Sequence, residues 1–197
     1  MSAYMKDKFP FLGIQKPLRA ELQKEFFRQV KKQKQVDWDF VFRLWDLPER
    51  EFQCLAVDYL LVLKDSLQES DMDRIGLLIV NKSWWDSLDG LAANIIGALC
   101  ARYPELVSSH ILSWAENDNI WLVRVAILFQ LKYKGNTDTE LLKLIINKNS
   151  NSKEFFISKA IGWALREYSK TNQEWVKSFL AGNALQPLSV REASKYL

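Results

Sequence analysis

Ile120-Trp121-Leu122-Val123-Arg124-Val125-Ala126-Ile127-Leu128-Phe129-Gln130-Leu131-Lys132-Tyr133 repeats its apolar pattern 35 residues later, as Phe155-Phe156-Ile157-Ser158-Lys159-Ala160-Ile161-Gly162-Trp163-Ala164-Leu165-Arg166-Glu167-Tyr168. The same step backwards lands on Trp85–Ala98 and then on Arg50–Leu63, so one helix recurs four times. A fixed period of this length marks a stack of two-helix units, each burying its apolar face on its neighbours. The period is shorter than the roughly 40–47 residues of a HEAT repeat, but the Trp/Leu-Gly/Tyr pattern of tetratricopeptides and the Thr-Pro-Leu-His of ankyrin are both missing. The expectation is an all-α fold: an α-solenoid of HEAT-like repeats, C-shaped, with a basic concave face.

Helices are expected near residues 17–31, 37–46, 49–66, 71–80, 84–102, 105–115, 119–134, 138–148, 153–169, 173–181 and 189–197. Pro17, Pro48 and Pro104 suit first-turn positions, and Ser83, Asp118, Thr137 and Ser152 suit caps. Only 7 glycines and 5 prolines interrupt the chain, and no strand alternation stands out.

At 197 residues, 48% hydrophobic and 26% charged, the composition is that of one globular domain, 1–197, with enough chain for a real core. Apolar runs such as Tyr59–Leu63 and Ala126–Phe129 are far too short to span a bilayer. Lys6, Asp7 and Lys8 fall where a secretion signal needs an unbroken apolar stretch, so a monomeric cytoplasmic protein without membrane contact is expected. Cys54 and Cys100 lack metal-site spacing and read as reduced core thiols. His110 is the only histidine and reads as a plain helix position; it leaves no His-based metal site and no triad beyond a coincidental one. No metal and no cofactor are expected. The net charge of +3 permits a polyanionic partner without demanding one.

The repeat register puts Cys54, Asp89, Arg124 and Lys159 at equivalent positions. In a stack these form a ladder along one surface. Unpaired charges are expensive to bury, so the rungs must line an open face or pair with one another, an Asp89–Arg124 bridge being one such pairing. Trp85 and Asp89 are i and i+4, an indole beside a carboxylate on one helical face. One turn past Lys159 comes Trp163, then Arg166 and Lys170, an aromatic followed by two cations. That stripe suits a deoxyribose flanked by phosphates.

These residues lie in long strings that resemble the AlkD family of DNA alkylation repair glycosylases, over Tyr4 to about Ala193: Tyr4-Met5-Lys6, Phe11-Leu12-Gly13-Ile14-Gln15, Leu44 to Phe52, Lys82 to Asp89, Asp118 to Leu122, Ala126 to Lys134, and Ser152 through Tyr168. The resemblance implies duplex DNA held in the concavity and metal-free hydrolysis of the N-glycosidic bond of cationic alkylpurines. It assigns Asp89 as the catalytic carboxylate, Trp85 and Trp163 as the indoles against the lesion's sugar, and Arg124 as a phosphate holder. Lys159, Arg166, Lys170, Tyr4 and Gln15 join Arg124 as expected DNA contacts. The chemistry fits, because losing a charged purine leaves an oxocarbenium-like sugar that a carboxylate and indole faces stabilise.

Family members carry further helical sequence before the Tyr-Met-Lys string and after the Ser189-Val190-Arg191-Glu192-Ala193 segment. The expectation is therefore a DNA-binding member, on duplex, damaged or branched DNA, with weak or absent alkylpurine glycosylase activity. An active glycosylase is the alternative. A protein-binding scaffold is the second, disfavoured by the cations Arg124, Lys159, Arg166 and Lys170.

Overall fold

The computed structural model describes residues 3–197, and every regular element among them is helical, in the arrangement of an α-solenoid of two-helix repeats. None of these helices is long and apolar enough to cross a membrane. The residues group into two compact units, one reaching to Asp71 and the other Met72–Leu197.

The first unit holds α1 (Lys16–Val30), α2 (Trp38–Asp46) and α3 (Arg50–Val62). Asp37 caps α2 by accepting from the Phe40 N–H at 2.9 Å. Val41, Leu44 and Trp45 are buried on its inner face. The Gln53 amide, fully buried on α3, donates to the carbonyls of Leu44, Trp45 and Leu47, which satisfies orphan acceptors at the end of α2. Glu51 accepts from the N–H groups of Leu12, Gly13 and Ile14 at 3.0, 3.0 and 3.1 Å. Gly13 makes that loop possible, since its φ of +84° lies in the left-handed region. Arg50 lies 4.1 Å over the Phe9 ring, and its N–H donates to the Pro10 carbonyl. The strings 11–15 and 44–52 are thus joined in one folding contact through Glu51.

The second unit runs through α4 (Met72–Val80), α5 (Trp85–Gly90), a wide π-helical turn Leu91–Ile96, α6 (Gly97–Arg102), α7 (Leu112–Ala115), α8 (Ile120–Leu128), α9 (Thr139–Asn149), α10 (Phe155–Ser169), α11 (Gln173–Gly182) and α12 (Pro187–Ala193). The recurring helices pack in order, α5 on α8 and α8 on α10, and α12 packs on the far side of α10. Leu88, Leu91, Ile95, Val125, Leu128, Ile161 and Leu165 are buried between them. Two glycines set the closest approaches. A Cβ on Gly97 would meet the Phe129 carbonyl at 2.4 Å, and one on Gly162 would meet the Glu192 Cβ at 2.5 Å.

Boundaries differ from expectation in a few places. The helix expected over 119–134 ends at Leu128, because the Gln130 side chain turns to bond both the N–H and the carbonyl of Asp138. The caps fall one residue later than expected, at Asn119 and Asp138, whose side chains accept from the N–H groups of Trp121 and Leu141. Ser83 instead donates to the Ile79 carbonyl and closes the preceding helix.

Candidate functional site

Asp89 sits one turn after Trp85 on α5, and both are half-buried. Arg124, on α8, is 5% exposed, and its guanidinium is fully engaged. Nε donates to Asp89 Oδ1 at 2.8 Å, one terminal amino group to Oδ2 at 2.9 Å, and the other to the Phe156 carbonyl of α10 at 2.7 Å. The planar fork matches the carboxylate as a bidentate pair. Three successive repeat helices are therefore joined at one side chain. Burial raises the Asp89 carboxyl above the usual carboxylate range; the hydrogen bonds and charge of Arg124 pull the other way, and the Asp86 carboxylate adds to the rise.

Beside this network Trp84, Trp121 and Phe156 form an aromatic cluster with ring centres 4.9–5.5 Å apart. It packs the N-terminal ends of α5, α8 and α10 together, so of the two adjacent tryptophans Trp84 is the core residue and Trp85 the one left partly open.

On α10, Trp163 is half-buried. Lys159 and Arg166 both reach Glu192 of α12, at 2.9 and 3.0 Å, and Lys195 joins them at 2.8 Å. Lys170 is exposed; it pairs with Glu167 at 2.7 Å and lies 5.4 Å over the Tyr196 ring. In the other unit, Tyr4 is 75% exposed in a short 3₁₀ turn, and Gln15 is exposed at the N-cap of α1. Sequence reasoning overlooked Glu192. The surplus of cations on α10 was the signal that a counter-charge had to lie nearby.

The remaining chemistry-bearing residues are accounted for structurally. Among the described residues neither cysteine forms a disulfide, and burial pushes the Cys100 thiol up to about 12. No group of three His, Cys, Asp or Glu among them is placed to hold a metal ion. His110 lies between Ser109 Oγ at 2.8 Å and Asp73 Oδ1 at 3.1 Å, but the Asp73 side chain is 87% exposed. A carboxylate so well solvated gives the imidazole little of the support a nucleophile's base requires.

Similarity to known proteins agrees with this geometry. A solved structure described as "Predicted DNA alkylation repair enzyme from Enterococcus faecalis" is 35% identical, covers 100% of this chain and 92% of its own, and superposes with a TM-score of 0.92. No curated protein matches the sequence. The model of the family described as DNA alkylation repair enzyme matches residues 1–197, the entire chain. The chain therefore belongs to the DNA alkylation repair enzyme family.

Proposed function

We propose that this protein binds DNA through the surface that carries Trp85, Asp89, Trp163, Arg166 and Lys170, a basic concave face that cradles the duplex, and that it hydrolyses the N-glycosidic bond of simple alkylpurines in DNA weakly or not at all. It acts as a cytoplasmic monomer. Lys159 belongs to the same stripe of phosphate contacts, Arg124 supports that surface from below, and Tyr4 and Gln15 are separate DNA contacts on the first unit.

The observation that carries this reading is the closed network Asp89–Arg124–Phe156. A carboxylate stabilises an oxocarbenium-like sugar through its net negative field. A bidentate guanidinium cancels much of that field. The half-buried indoles still offer faces to a sugar, and the cations of α10 still offer partners to phosphates. Recognition thus outweighs turnover.

The active-glycosylase reading rests on the same residues: Asp89 keeps lone pairs for a water and a cationic sugar, and a positively charged purine leaves without a strong general acid. The deciding experiment pairs gel shifts with base release, on plain, N7-methylguanine-containing and branched DNA. Binding is expected on all three, with release barely above the spontaneous rate and little change in Asp89→Asn. Robust release that vanishes in Asp89→Asn would establish the active enzyme instead.

A further inference from the structure

Glu192 is where three cations converge on one carboxylate, and two of them belong to the stripe assigned above to DNA. Lys159 takes Oε1, while Arg166 and Lys195 take Oε2. The Glu192 side chain is 8% exposed, whereas those of Lys159, Arg166 and Lys195 are 36%, 23% and 47% exposed. The anion lies inside and its cations reach outward. Backbone packing holds it there. Gly162 lets α12 approach α10 so closely that a Cβ would stand 2.8 Å from the Ser189 carbonyl, and Ser189 Oγ donates to the Ser158 carbonyl at 2.9 Å. Three charge-assisted donors on two oxygens is the set that the non-bridging oxygens of a backbone phosphate would draw from these same side chains.

Resting on the DNA-binding reading, we propose that Glu192 is a built-in competitor for backbone phosphate, which sets the affinity and salt dependence of binding by holding Lys159 and Arg166 on the protein. DNA must displace this carboxylate to recruit them. While Glu192 keeps them they neutralise no phosphate and release no counterion from the DNA, so these two positions add little to the salt slope. Only a ligand with closely spaced phosphates can outbid it. A purely structural role for Glu192, pinning α12 to α10, predicts loss of stability with unchanged binding.

The test compares wild type with Glu192→Gln and with Glu192→Met, the latter keeping the packing volume without any buried polar demand. Affinity for a plain duplex is followed by fluorescence anisotropy over a salt series, retention on immobilised heparin serves as a DNA-independent polyanion probe, and thermal melting reports the fold. Each restored phosphate contact steepens the salt slope by roughly 0.9 and is worth about eightfold near 0.1 M salt. Both variants are expected to bind about 8-fold tighter than wild type with a slope steeper by about one unit for one released cation, or about 60-fold and about two units for both, with a smaller gain when Lys159→Gln is also present. Wild-type affinity and slope in both variants, with or without a lower melting temperature, would overturn the competitor. If no form binds DNA, the functional reading fails, and heparin decides this proposal separately: later elution of the Glu192 variants upholds competition for polyanions, and unchanged elution ends it.

Discussion

Asp89 and Arg124 lie 35 residues apart, one repeat period, and meet in a two-pronged ion pair at 2.8 and 2.9 Å. The sequence period has become a bond. Equivalent positions on consecutive helices of a stack are neighbours, so an acid at one rung and a base at the next neutralise each other across the helix interface. The Asp89 and Arg124 side chains are 17% and 6% exposed, which places the pair where removing one partner strands the other.

Arg124→Met should therefore destabilise the chain by about 3 kcal/mol, and adding Asp89→Asn should restore most of the loss, because the stranded charge disappears. Urea unfolding of the two single variants and the double variant measures this. Additive losses would mean that the pair carries no coupling energy.

Lys170 offers the opposite case. Its partner Glu167 is one turn away on the same exposed face, so Lys170→Gln should alter stability by less than about 1 kcal/mol. DNA affinity should fall alike on every sequence, with a salt slope shallower by about one unit. An unchanged slope would remove Lys170 from the phosphate contacts.

Acid should act through Glu192. Hydrogen bonds from Lys195 and then Lys159 lower its carboxyl from 4.5 to about 2, against a smaller opposing push from burial. Below 4.5 the unfolded chain takes up this proton before the folded one does, so the stabilisation drains away as pH falls towards about 2. Glu192→Gln should flatten the acid limb of a plot of urea midpoint against pH. Parallel limbs in wild type and variant would place the acid sensitivity elsewhere.

Glu51 accepts three backbone N–H groups and is 4% exposed, so Glu51→Gln turns one acceptor edge into a donor facing donors. A loss of about 3 kcal/mol is expected, read as a lower melting temperature by circular dichroism. An unshifted melt would show that the loop 12–14 finds water as good a partner.

The period was legible because the apolar positions of α8 and α10 serve the same purpose in each repeat, and packing tolerates little variation there. The register offered the Asp89–Arg124 pairing as one of two alternatives, and the structure makes it. Glu192 did not, because α12 belongs to a segment for which no repeat was recognised, and only the close pass at Gly162 brings it under Lys159 and Arg166. The early end of α8 was hidden for a similar reason. Gln130 looks like an ordinary helix former until Asp138 presents it with two backbone partners eight residues away. The roles of Glu51 and Gln53 were equally invisible, since long-range acceptance of backbone groups leaves no periodic trace.

The wide turn Leu91–Ile96 carries a consequence for the ancestry of the site. Such turns amount to one extra residue wound into an α-helix, and here Asn94 donates to the Gly90 carbonyl inside the turn. Deleting one residue between Leu91 and Ile96 would let the helix close up, with Gly97 still seated against the Phe129 carbonyl. The loss would take up the extra residue, so Trp85 and Asp89 would keep their facing towards Arg124, whereas the same deletion in a regular α segment would rotate everything upstream by about 100°. The wide turn is thus a place where this helix can lose one residue while the face that carries the site stays in register with the next repeat.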